Sequence, residues 1–143
     1  MDQRSPWRPA NKEVIKMTVQ PPLHIGVVDF SEPTLLLISE ARGFRWLADQ
    51  IEHRNQFTIS QIKGPAQTRV TIQFVPAQAG SLNRTENVFT WGISRAESKL
   101  FADQLRELSV STTPAHTYLD SASRGIPVIA SFDEYDPEKI FSN

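Results

Sequence analysis

The chain has 143 residues, 39% hydrophobic and 22% charged, which describes one ordinary globular domain rather than a disordered segment. Fifteen basic and sixteen acidic side chains leave a net charge of −1, so no broad field exists to draw in nucleic acid or an anionic membrane. The absence of cysteine excludes disulfides, thiolate catalysis and cysteine-ligated metal centres.

Residues 1–12 mix prolines and charges without periodicity and read as a flexible leader before a single domain over 13–143. Basic residues Arg4, Arg8, Lys12 and Lys16 dominate the first twenty positions, while Asp133, Glu134, Asp136 and Glu138 make the last eleven acidic. Both ends are expected to be solvated. The N-terminus lacks the apolar core of a signal peptide, and the longest aliphatic run, Leu35 to Ile38, falls far short of the roughly 20 residues that cross a bilayer. These features predict a cytoplasmic protein without a membrane or nucleic-acid partner.

Alternation of apolar and polar residues predicts a strand from Val14 to Gln20 and, after Pro21-Pro22, a second from Leu23 to Phe30. The run Leu35–Ile38 reads as a central strand, followed by Ser39 as the N-cap of a helix. Phe44, Leu47, Ala48 and Ile51 fall at i, i+3, i+4 and i+7, one face of an amphipathic helix ending near Arg54-Asn55. Strands are predicted at Phe57–Ile62 and Thr68–Val75, the latter with Val70, Ile72 and Phe74 inward. Residues 76–86 read as a polar loop.

Asn87–Ile93 is the next predicted strand, with Phe89, Trp91 and Ile93 on one face. Ser94-Arg95-Ala96-Glu97 is a capping box that opens a second helix, expected to bury Leu100, Phe101, Leu105 and Leu108. His116–Asp120 reads as extended and Ile126–Phe132 as the last strand, where Pro127 suits a strand start or an edge. Asp136-Pro137-Glu138 carries the signature of a closing helical turn that docks Ile140 and Phe141.

Ile38-Ser39 precedes the first helix and Ile93-Ser94 the second, and Ala48-Asp49-Gln50-Ile51 resembles Ala102-Asp103-Gln104-Leu105. These pairs suggest a pseudo-repeat of β-α-β-β units with a one-residue insertion, although any two amphipathic helices after strands share such residues. The predicted class is α+β, a mainly antiparallel sheet with two amphipathic helices on one face.

The six glycines form no P-loop and no G-x-G-x-x-G turn, and the three histidines lack metal-binding spacing, so neither a cofactor nor a metal is expected. His116, Tyr118 and Asp120 share one face of a strand and form the densest polar group. At ~3.3 Å per residue the outer two stand about 13 Å apart, too far to hydrogen-bond as a catalytic pair. On the first helix, Trp46 lies opposite the apolar stripe with Arg42 and His53 beside it, a composition that interfaces favour. Alignment with the second helix sets Trp46 against Leu100, which favours burial of the indole instead. His53 near the helix end suits the negative end of the dipole.

No motif names a reaction. The expectation is a non-catalytic protein-interaction or ligand-binding module, with a protein partner or a homodimer formed through Trp46, Arg42 and His53. The alternative is a small-molecule enzyme with a polar site around His116, Tyr118 and Asp120.

Overall fold

A computed structural model describes residues 23–63, 66–76, 80–119 and 126–141. The leader, the strand expected at Val14–Gln20 and Asp120 lie outside the described residues. In chain order the elements are β1 (Leu23–Asp29), β2 (Pro33–Ser39), α1 (Ala41–Glu52), β3 (Phe57–Lys63), β4 (Ala66–Val75), β5 (Ser81–Thr85), β6 (Val88–Ser94), α2 (Arg95–Ser109), β7 (Ala115–Tyr118), β8 (Val128–Phe132) and α3 (Pro137–Ile140). The class is α+β.

The strands form two four-stranded sheets where a single sheet was expected: β1-β2-β8-β7 and β3-β4-β6-β5. In each sheet two antiparallel hairpins meet along one parallel pair, β2 with β8 in the first and β4 with β6 in the second. The hairpin–helix–hairpin unit therefore occurs twice among the described residues. Each unit contributes one hairpin to each sheet, and its helix crosses from one sheet to the other.

Register sharpens the correspondence between the units. Leu35 and Leu37 of β2 and Phe89 and Trp91 of β6 face the same core. They pair with Val128 and Ala130, and with Val70 and Ile72, respectively. One constant spacing then matches Leu35 with Phe89, Leu37 with Trp91, Glu40 with Ser94 and Ala48 with Ala102, so no insertion is required. The expected match of Ser39 with Ser94 is out of register by one residue, which would put side chains on opposite faces.

This shift explains why Ser39 does not cap α1. It is the last residue of β2, on the face of Leu35 and Leu37, and is buried. Glu40 is the N-cap and makes no side-chain cap bond. The second unit carries the complete capping box: Ser94 Oγ accepts from the Glu97 N–H at 3.2 Å and Glu97 Oε1 accepts from the Ser94 N–H at 3.0 Å.

Phe44, Leu47, Ala48 and Ile51 of α1 join Phe101, Ala102, Leu105 and Leu108 of α2 in one core with the inward residues of both sheets. Burying each large side chain contributes roughly 1.5–3 kcal/mol. Leu100 departs from expectation: it is 56% exposed, on the flank of the stripe that buries Phe101 and Leu105. Polar contacts also tie α2 to α1 and to the turn that follows it, Arg54 Nη1 of that turn donating to Ser98 Oγ at 2.8 Å and Arg106 pairing with Asp49 at 2.8 Å and with Glu52. These carboxylates, Asp49 first, raise the pKa of the Arg106 guanidinium further above its ordinary value.

The expected polar loop over 76–86 contains a strand. Residues Ser81–Thr85 form β5, an edge strand that buries only Leu82, and a two-residue turn at Glu86-Asn87 leads to β6. Glu86 takes a left-handed φ of 55°, and Arg84 Nε donates to its carbonyl at 2.6 Å. At the C-terminus, Asp136 caps α3 by accepting the Glu138 N–H at 2.9 Å, and the Phe141 ring lies over Gly26. Among the described residues, no helix is long and apolar enough to cross a membrane.

Candidate functional site

The site begins with the outer face of the first sheet, the side turned away from the shared core. Strand pairing aligns His24 of β1 with Ile38 of β2, Ile38 with Ser131 of β8, and Ser131 with His116 of β7. These four residues make one row across the sheet. At about 4.8 Å per strand the row is roughly 14 Å long, with a histidine at either end.

The chain leaving β8 turns over this row. Asp133 adopts a left-handed φ of 61°, and the bend that follows carries Glu134 and Tyr135. Glu134 Oε1 accepts from the Ser131 hydroxyl at 2.6 Å and its Oε2 lies 2.9 Å from His116 Nδ1. Burial pushes the Glu134 carboxyl up, but the hydrogen bonds from Ser131 and His116 outweigh it and hold the group below its ordinary value. Tyr135 stacks on Phe30, with ring centroids 5.8 Å apart.

On the His24 side, the bend and the ends of β1 and β2 enclose an open cavity of about 500 Å³. His24, Ile38, Ser39 and Glu40 line it from β1, β2 and the start of α1, and Phe132, Asp133, Tyr135 and Pro137 from the end of β8 onward. This volume lies within the range of small-molecule sites, roughly 300–1,000 Å³. Its lining is mixed: aliphatic and aromatic surface from Ile38 and Phe132, two acidic residues, a hydroxyl, a phenol and an imidazole. Among the described residues, the buried Nδ1 of His24 has no hydrogen-bond partner.

The cavity adjoins the point where the units differ in capping. The second unit closes its helix start with Ser94 and Glu97, and Glu97 Oε1 also accepts the Gly80 N–H at 2.9 Å. At the positions corresponding to Ser94 and Glu97 the first unit has Glu40 and Gly43. It therefore lacks the side chains that make this closure.

The residues singled out in the sequence divide into three groups. His116 and Tyr118 do share a face, their rings in edge contact with centroids 5.6 Å apart, and both are exposed. Neither lines the cavity. Asp120, the third member of that group, lies outside the described residues. On α1, Arg42 and His53 are exposed, whereas Trp46 is half-buried and meets Phe57 edge-on at 5.3 Å. His53 occupies the C-cap, and its Nδ1 lies 2.7 Å from the Asp49 carbonyl, as its place at the helix end suggested.

Sequence reasoning missed His24, Glu40, Asp133 and Tyr135 as a group. No local spacing joins them, because they come from β1, the start of α1 and the bend after β8. Comparison of the chain with protein-family models, with curated proteins and with solved structures finds no match.

Proposed function

We propose that this chain is a non-catalytic ligand-binding module whose ligand enters the cavity between β1, β2 and the bend after β8. The observation that carries the reading is a cavity of about 500 Å³ lined by His24, a residue whose buried Nδ1 has no partner among the described residues. A buried polar atom without a partner costs about 1–3 kcal/mol, and a ligand whose binding turns the imidazole toward the cavity recovers that cost. The rest of the wall combines apolar surface with a few polar groups, the make-up of small-molecule sites.

An enzyme built on His116 and Tyr118 draws less support. The Ser131 hydroxyl donates to Glu134 rather than to the His116 ring, so the cluster lacks the histidine-to-hydroxyl bond that activates a nucleophile. Protein capture or dimerisation through Trp46 also draws less support, since the indole is half committed to Phe57. A cytoplasmic setting is part of the proposal, supported by the cysteine-free composition, and the net charge of −1 argues against nucleic acid as the ligand.

The test is a fragment screen followed by amide chemical shifts of the isotopically labelled full chain. The reading expects saturable hits whose shifts cluster at His24, Ile38, Ser39 and Glu40. Hits that cluster instead at His116 and Tyr118, or around Trp46, would refute it.

A further inference from the structure

The charge of the lining points to the class of ligand. Glu40 and Asp133 both border the cavity, and among the described residues neither lysine nor arginine lines it. An anionic ligand would meet repulsion from both carboxylates, whose attraction for a cation grows as water is displaced from the cavity. A wholly apolar ligand would cover the carboxylates without giving them a donor. A ligand with several N–H donors on a positive group supplies what both need, through charge-assisted hydrogen bonds. The Tyr135 ring adds an aromatic face of the kind that attracts cations, and Ile38 and Phe132 offer apolar surface for the ligand's body.

We infer that the cavity takes a small organic cation, a protonated amine or a guanidinium carried on a short apolar body. This rests on the cavity being a binding site, as proposed above. The left-handed turn at Asp133 places one carboxylate-bearing residue on the wall, and the N-cap position of α1 places the other, Glu40.

Three probes with one shared skeleton separate the inference from the reading beneath it: 2-phenylethylammonium, 2-phenylethanol and 3-phenylpropionate. Each is titrated into the labelled full-length chain while the amide shifts of His24, Ser39, Glu40 and Asp133 are followed. The expected result is saturable binding of the ammonium, weakened by salt, with little or no effect of the alcohol and the carboxylate. The double variant Glu40→Gln with Asp133→Asn should weaken ammonium binding by about tenfold or more, the scale of one lost charge-assisted bond. Asparagine tolerates the φ of 61° at position 133. An unchanged amide spectrum elsewhere verifies the fold, and Glu40→Gln alone serves if the double variant is misfolded. Binding of the alcohol or the carboxylate as tight as that of the ammonium would overturn the cation assignment and leave the cavity reading standing. Failure of all three probes to move these amides, with fragment hits elsewhere, would overturn both.

Discussion

Glu97, in the first turn of α2, holds the backbone N–H of Gly80 at 2.9 Å through its Oε1. The same oxygen accepts the Ser94 N–H at 3.0 Å, so one buried carboxylate serves a helix cap and the chain entering β5 together. Glu97→Ala removes the acceptor and leaves two buried donors unpaired, which should cost about 2–4 kcal/mol. Glu97→Gln keeps an amide oxygen in place and should cost less than half of that. Denaturant unfolding of the two variants checks the ordering.

The glycines at 80 and 26 are expected to respond differently to alanine. A Cβ at Gly80 would stand 1.9 Å from the Gly92 carbonyl oxygen, and backbone cannot swing aside. At Gly26 the obstacle is the Phe141 ring, 2.6 Å away, which is a side chain near the end of the chain. Gly80→Ala should destabilise by about 3 kcal/mol or more, Gly26→Ala by about 1–2 kcal/mol. The penalty at 26 should also fall in a Phe141→Ala background, a coupling that Gly80→Ala should not show.

Trp46 is a stability residue first. Its edge contact with Phe57 at 5.3 Å anchors the outer side of α1 to the start of β3. Trp46→Ala should lower stability by about 1.5–3 kcal/mol for a partly buried aromatic. A double-mutant cycle with Phe57→Ala should return a coupling of about 0.5–1.5 kcal/mol.

The bond network of Glu134 makes stability depend on pH with a definite sign. Its carboxyl is held below the ordinary value in the folded chain, so the unfolded chain binds the proton more readily. The contribution is fully present above the unfolded pKa of about 4.3 and is lost as pH falls through the folded value. For a pair as exposed as His116 and Glu134, side chains 44% and 24% accessible, the pairing contributes about 0.2–1 kcal/mol. Urea midpoints from pH 7 to pH 3 should show the wild type losing this advantage over Glu134→Gln below about pH 4.

Much of the fold was legible where local pattern decides it. The stripe Phe44, Leu47, Ala48 and Ile51, the alternation through Val70 and Ile72, and the Ser94–Glu97 box each fix an element from residues close in sequence. What failed was decided at longer range. Strand β5 buries only Leu82 and turns at Glu86 without a glycine, so neither its pattern nor its turn is conspicuous. The division into two sheets depends on the pairing of β2 with β8 and of β4 with β6, which no local periodicity encodes. Ser39 has the composition of a cap, but the inward parity it shares with Leu35 and Leu37 commits it to the strand. His116 and Tyr118 were correctly placed on one face, yet the cavity opens at the opposite end of that row, beside His24. Its walls converge only through tertiary structure.

The central claim is that the buried His24 Nδ1, which has no partner among the described residues, costs the ligand-free fold stability. The most direct measurement is the ligand-free unfolding free energy of His24→Leu against wild type. The account predicts that the variant is as stable as wild type or more so, by up to about 2 kcal/mol, because an unsatisfied polar atom is exchanged for an apolar side chain. A loss of more than about 1 kcal/mol would show that the imidazole supports the fold, and would contradict the account.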